Sequence, residues 1–339
     1  MRRRIPWARA ETGLFLLLAA LSLGLWLWAE RSVAAPQEQS AAPDTTLRIS
    51  TNVVNVYAVV RDKKGRLIPD LNQQDFELSE DNVPQPIRYF SHETDTPLTI
   101  GLLIDTSPSQ ERVLPMEQQE AKAFLREVMR PKDLAFVIHF DLEVELLRDL
   151  TANQRLLASA IDETVINAGV QGPLPGPVPG PSVGGTHLFD AVYLAANELL
   201  KNEVGRKVLV LLTDGEDQGS RVKLNDALEA AQKADIIMYS VNVVDREFYR
   251  RQGGGLGFSG DSALKKLSEE SGGRVIRVDN PRDTALAFEQ LSRELRTQYS
   301  LGYTPINAAR DGSFRKIRVQ IRNGDYKVQA RRGYYAPRG

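Results

Sequence analysis

Five residues carry the chemistry this chain can offer: Asp105, Ser107 and Ser109 in GLLIDTSPSQ, Thr186 in GGTHLFDA, and Asp214 in LVLLTDGED. They bring two carboxylates and three hydroxyls, an oxygen-only set. Small hard cations such as Mg²⁺ take oxygen ligands in near-octahedral geometry and keep waters beside one or two carboxylates. Three neutral hydroxyls offset little charge. Mg²⁺ (or Mn²⁺) held here would stay electrophilic and accept a further carboxylate from outside. Zinc fits poorly, because its sites are built on cysteine and histidine, and the chain contains no cysteine.

These residues need elements to position them. Both aspartates end apolar runs, 98–104 and 208–212, that read as buried strands, and Thr186 opens a helical pattern behind two glycines. Alternation along the loop after Asp105 turns the Ser107 and Ser109 hydroxyls the same way, and Pro108 stiffens that loop. Further apolar runs at 134–140, 144–147, 236–244 and 275–278 alternate with helical patterns at 116–129, 153–166, 188–200, 225–233, 262–270 and 284–295. Within 188–200, Leu188, Val192, Ala195 and Leu199 recur at helical spacing and define a buried stripe. Strand–helix alternation predicts an α/β fold with a doubly wound, mostly parallel six-stranded sheet covered by helices on both faces. The run 144–147 follows 134–140 so closely that it reads as an antiparallel edge strand. Sheets of this type bind ligands beyond the carboxyl ends of their strands, where the strand order reverses. In the order 3-2-1-4-5-6, the strands ending at Asp105 and Asp214 flank that crevice.

On either side the pattern is purely β. Residues 46–96 contain strand-like runs at 49–60, 76–78 and 87–90, and residues 298–337 contain others at 298–303, 314–321 and 326–330. Three such strands alone make a marginal domain, and domain termini tend to lie close together. The two pieces are therefore expected to pair into a small β-sandwich in which the α/β unit is inserted, or which flanks it.

The N-terminus has another purpose. Arg2, Arg3, Arg4 and Arg9 precede an apolar stretch at 14–28 and the small residues 32–35. A basic start, a short apolar core and small residues make an export signal, although the stretch is slightly short for a spanning helix of about 20 residues. Residues 1–35 read as a cleaved signal peptide or a retained signal anchor, which would tether the chain to a membrane, and 36–45 as a linker. The chain is then exported: periplasmic, envelope-anchored or secreted. With 43 Lys+Arg against 44 Asp+Glu, the net charge of -1 offers no field for nucleic acid. Without cysteine no disulfide can staple an exported fold, so burial must hold it.

The motifs resemble the metal-ion-dependent adhesion site of von Willebrand factor type A domains. Asp105-Thr106-Ser107-Pro108-Ser109 matches D-x-S-x-S, Thr186 the lone threonine and Asp214-Gly215 the T-D-G segment, over roughly 97–297. The resemblance implies that Ser107, Ser109 and sometimes Thr186 touch the metal, that Asp105 and Asp214 act largely through waters, and that a partner's Asp or Glu completes the shell. The flanking segments NVYAVVRDKKGRLIPDLNQQDFELSEDN and YSLGYTP are similar to exported bacterial, acidobacterial-type proteins related to the same domain.

Other signals carry less. The run 255–260 matches G-x-G-x-x-G, but it lies far from its strand and late in the domain, so it reads as a surface loop. Glu216 and Asp217 could serve as a general base beside a metal-activated water, yet no matched acid accompanies them, and His92, His139 and His187 are scattered. The Pro/Gly-rich segment 172–185 is an extended loop that is either a surface insertion or a border to the metal face. Arg315, Lys316, Arg318, Arg331 and Arg332 read as solvated strand faces, or as contacts for anionic lipid or an acidic partner. The expected protein is not an enzyme. It is an exported module in which a divalent cation bridges to a partner carboxylate, with a structural or assembly component of the envelope as the alternative and a metal-dependent hydrolase as a remote one.

Overall fold

The computed structural model describes residues 53–92, 96–167, 185–243 and 260–339. The signal or anchor at 1–35, the linker at 36–45, most of the Pro/Gly-rich loop and all but the last glycine of the G-x-G-x-x-G run lie outside the described residues.

The chain opens with β1 (Val54–Arg61), β2 (Phe76–Glu80), β3 (Val83–Pro84) and β4 (Tyr89–His92). Asp81 and Asn82, with φ of 47° and 67°, link β2 to β3. Positive φ at both central residues suits a two-residue hairpin turn, and Asp and Asn tolerate it best after glycine. The α/β unit follows with β5 (Leu98–Asp105), α1 (Leu114–Val128), β6 (Leu134–Phe140), β7 (Val144–Thr151), α2 (Gln154–Asp162) and α3 (Leu188–Leu194). It continues with β8 (Arg206–Leu212), α4 (Leu224–Lys233), β9 (Ile236–Val243), α5 (Gly260–Ser271), β10 (Val275–Val278) and α6 (Thr284–Arg296). The chain then returns to β11 (Tyr299–Tyr303), β12 (Phe314–Ile321), β13 (Lys327–Ala330) and β14 (Gly333–Tyr335).

The six-stranded sheet runs β10-β9-β8-β5-β6-β7, which is the expected 3-2-1-4-5-6 order. All its pairings are parallel except that of β6 with β7, the antiparallel edge. Strands β5, β8 and β9 are buried at every residue, as a parallel sheet covered on both faces requires. Alternate residues feed opposite cores: Val208, Val210 and Leu212 pack with α1, α2 and α6, whereas Leu209 and Leu211 pack with α3, α4 and α5.

Two helical expectations need correction. The 153–166 pattern stops at Asp162, where the Thr164 hydroxyl and the Gln118 amide take the Ile161 carbonyl. In 188–200 the α-helix gives way at Ala195 to a π-helical segment, Ala195–Leu200. The wider turn moves the last buried position from Leu199 to Leu200, which is 0% exposed.

The β pieces at both ends of the chain pair with each other. Strand β1 lies between β11 and β13, β4 pairs with β11, and β2 pairs with β12. The two four-stranded sheets, β13-β1-β11-β4 and β14-β12-β2-β3, face each other across a core of Val56, Ala58, Phe76, Leu78, Tyr299, Leu301, Tyr303 and Ile317. The α/β unit leaves this sandwich from β4 and re-enters it at β11, adjacent strands with His92 opposite Tyr299.

Inside the sandwich lies a charged knot. Buried Glu80 accepts hydrogen bonds from the Tyr303 hydroxyl at 2.7 Å and the Tyr334 hydroxyl at 2.9 Å, and pairs with Arg315 at 3.4 Å. Arg315 is therefore not on a solvated strand face; its side chain is 2% exposed. Breaking a buried ion pair leaves an uncompensated charge, at a cost of roughly 3–5 kcal/mol. Glu80→Leu is expected to lower unfolding free energy by about 3 kcal/mol in urea denaturation; a change within error would remove the knot from the interactions that hold the sandwich.

Candidate metal centre

Asp105 is the last residue of β5 and is fully buried. Its carboxylate accepts the Ser107 N–H at 2.9 Å on Oδ1 and the Thr213 hydroxyl at 2.5 Å on Oδ2. The Ser107 and Ser109 Oγ atoms lie 3.1 Å apart, so the two hydroxyls share one side of the loop. A single 3₁₀ turn, Pro108–Gln110, fixes that loop, and the Gln110 amide donates to Ser109 Oγ at 3.2 Å.

Asp214 stands just beyond β8 and is 3% exposed, its Oδ1 accepting the Glu216 N–H at 3.2 Å. Thr213 between them is fully committed: its hydroxyl donates to Asp105 and accepts the Gly215 N–H at 3.0 Å. Gly215 turns the chain away at φ +86°, where a Cβ would sit 2.6 Å from the Gly260 carbonyl oxygen. Only glycine meets both demands.

Thr186 arrives from a different direction. Its N–H donates to the Gln218 carbonyl at 3.0 Å and its carbonyl accepts the Gln218 N–H at 2.9 Å, while the His187 N–H donates to the Asp141 carbonyl at 2.8 Å. Thr186 and His187 are thus strapped between the loop after β6 and the loop after β8. Of the five candidate ligands, Asp105, Ser107, Ser109 and Asp214 interact with one another on adjacent strand ends, and Thr186 is tied to the Asp214 loop through its backbone.

Two neighbours were not singled out by their sequence. Asp141, 4% exposed, accepts the Thr106 hydroxyl at 2.7 Å, the Glu143 N–H at 3.1 Å and the Asn167 amide at 3.2 Å. It links the first two loops of the rim. Glu117, in the first turn of α1, is 0% exposed, and neither carboxylate oxygen has a hydrogen-bond partner. An acid there is ordinarily a solvated residue favoured by the helix dipole. Here it faces inward behind the two aspartates, a placement no helical period announces.

The electrostatics favour a cation. With no positive charge among these groups, burial and then the Asp214 charge raise the Asp105 carboxyl to about 7. Burial, then Asp105 and Asp214, push Glu117 well above the ordinary carboxylate range. A divalent ion inverts this logic by stabilising every ionised carboxylate around it. Among the described residues no three His, Cys, Asp or Glu side chains gather as a metal cage, so any ion here depends on hydroxyls as well. The donor set, with orphaned Glu117 oxygens behind it, fits a hard cation.

Other acids near the rim are occupied. Asp217 accepts the Phe189 N–H at 3.2 Å and the Ser220 hydroxyl at 2.6 Å, capping α3. Glu216 accepts the Gly260 N–H at 3.2 Å. His139 lies between the Thr106 hydroxyl and Glu145, at 3.2 and 3.1 Å.

A carboxyl that holds its proton more tightly in the folded protein favours folding at low pH. That stability is full below about 4, where the unfolded chain's aspartate titrates, and is lost as pH rises through the folded value. In chelator, unfolding free energy is therefore expected to fall between pH 4 and pH 7, by up to a few kcal/mol for Asp105 raised to about 7. Asp105→Asn should flatten that fall in urea titrations; an unchanged slope would contradict the assignment.

The sheet order and rim now allow comparison with known proteins. Residues 178–292 match the family model for the von Willebrand factor type A domain, a span that includes Thr186 and Asp214 but not 105–109. No curated protein matches the chain. Among solved structures, proximal thread matrix protein 1 from the mussel byssus aligns at TM-score 0.48 and 17% identity, over 64% of this chain and 50% of that one. The chain thus spans about half the length of the mussel protein. A von Willebrand factor type A protein from Catenulispora acidiphila aligns at TM-score 0.48 and 12% identity, over 77% and 72% of the two chains. The conserved hypothetical protein BatB from Bacteroides thetaiotaomicron aligns at TM-score 0.43 and 17% identity, over 58% and 97%. With the family match at 178–292 and the doubly wound six-stranded sheet around it, the chain carries a von Willebrand factor type A domain.

Proposed function

We propose that this chain is an exported protein-binding module, used in adhesion or assembly, that captures a partner's Asp or Glu through a divalent cation. The observation that carries this reading is the pair of buried carboxylates on adjacent strand ends beside two paired serine hydroxyls. Ser107, Ser109 and Thr186 would hold Mg²⁺ (or Mn²⁺), with Asp105 and Asp214 acting on it through water. When bound, the cation supplies an electrophilic position that accepts a carboxylate from the partner. The protein's own part is to keep these oxygens in place: Thr213 and the Ser107 N–H orient Asp105, and the Thr186–Gln218 bridge closes the loops.

Binding rather than hydrolysis is supported by the use made of the nearby acids. A hydrolase needs a carboxylate free to move a proton at a reacting water; Asp217 and Glu216 are engaged in holding α3 and α5, and Glu117, though unpartnered, is wholly buried behind the aspartates. Export rests on the basic, apolar and small-residue succession in 1–35, which would leave the module periplasmic, secreted or tethered in the envelope. Among the described residues no helix is long and apolar enough to cross a membrane.

The alternative is a structural envelope component in which the cation merely ties the rim loops together. Pull-down from envelope extract, in Mg²⁺ and in chelator, separates the two. Capture of a partner by the full-length protein is expected in Mg²⁺, with loss of roughly tenfold or more in chelator and in Asp214→Ala. Partner capture that ignores both chelator and substitution would refute the bridging role. A cation-dependent melting temperature with no cation-dependent partner would establish the structural one.

A further inference from the structure

A second cleft lies at the opposite end of the sheet. It is about 500 Å³ in volume and is lined by residues that open β8 and β9 on one side and by sandwich residues on the other. Lys207 sits opposite Thr99 in β5, six residues before Asp105. At about 3.3 Å per residue this places the cleft roughly 20 Å from the metal rim. The volume is that of a small-molecule site, which typically spans about 300–1,000 Å³.

The cations that line it differ in how they are used. Arg331 is committed: Nη1 pairs with Asp235, Nη2 donates to the Asn55 carbonyl, and the guanidinium lies over the Tyr334 ring. Lys233 pairs with Glu229 at 2.6 Å and rests over the Tyr335 ring at 5.2 Å. Lys207 has no hydrogen-bond or ion-pair partner among the described residues, although it is 8% exposed. Burial lowers its pKa, and the carboxylates of Asp235 and Glu203, which also line the cleft, pull it back up. Largely desolvating an ammonium without a hydrogen bond is costly, and the apolar run that follows Lys207 from its place at the start of β8 supplies it no partner. Around it stand Tyr57, Tyr334 and Tyr335, and the Tyr334 hydroxyl is already bonded to Glu80, so that residue offers the cleft its ring.

We propose that this cleft binds a small organic monoanion with a flat apolar body, an aromatic carboxylate in chemical class. The single unpaired ammonium of Lys207 would meet the carboxylate, and the tyrosine rings would pack the body. Among the described lining residues Arg331 and Lys233 are already paired and the Glu203 carboxylate adds negative charge, so Lys207 suits a single negative charge and disfavours a phosphate dianion. This site is independent of the metal rim and of the partner captured there.

Benzoate serves as the probe, and ligand-observed NMR on the full-length protein as the measurement. Chelator is present throughout, so that a carboxylate held at the metal rim does not register. Benzoate is expected to bind saturably, and neutral benzamide to bind roughly tenfold or more weakly. Lys207→Met should weaken benzoate by a similar factor while leaving the melting temperature equal or higher, because it removes a buried charge. Lys207→Arg should retain binding, and Asp105→Ala should not alter it. Equal binding of benzoate and benzamide, benzoate binding that survives Lys207→Met, or no saturable benzoate binding would each overturn the proposal.

Discussion

Two carboxylates end neighbouring parallel strands in the middle of a fully buried sheet, and their repulsion shapes everything built at that edge. Asp105 and Asp214 are almost wholly removed from water, and Glu117 lies behind them without a hydrogen bond. Burial alone penalises such charges by several kcal/mol each. Protons can relieve the cost, and so can a cation. The surrounding groups suit the cation: hydroxyls of Ser107 and Ser109 stand beside Asp105, and Thr213 donates to it instead of competing for it.

The rest of the fold holds those strand ends still. Apolar side chains on both faces of β5 and β8 leave the central strands no freedom to slide. Loops after β5, β6 and β8 are then laced to each other through Thr106, Asp141, His187 and Gln218. At the far end the sandwich closes over the chain where it enters and leaves the α/β unit, with Arg61 and Arg274 converging on Glu294 of α6. The sheet therefore has two unlike ends: an oxygen-rich, acidic rim, and a cleft of mixed charge lined by tyrosine rings.

Much of this was legible in the residues. Continuous apolar runs ending in aspartate locate β5 and β8, because strands buried on both faces are predominantly apolar along their central length. The pattern at 153–166 overruns the helix because the Thr164 hydroxyl caps the Ile161 carbonyl locally and Gln118, forty-six residues from Thr164 in sequence, bonds the same carbonyl from α1. The π-helical segment after Leu194 was invisible because periodicity assumes one turn width throughout. Strand β7 extends to Thr151 although its second half is polar, since an edge strand faces water. Arg315 reads as solvated, and Glu117 draws no notice, for one reason: a charged residue within an amphipathic pattern resembles a solvated one, and only its tertiary neighbours reveal burial.

The most direct test is calorimetric titration of Mg²⁺, and separately Mn²⁺, into the full-length protein at pH 7, beside an Asp105→Ala control verified as folded. Saturable heat from a single site, absent in the control, is the predicted result. A folded wild-type protein that takes up neither ion would show that these five residues, Asp105, Ser107, Ser109, Thr186 and Asp214, do not form a metal centre.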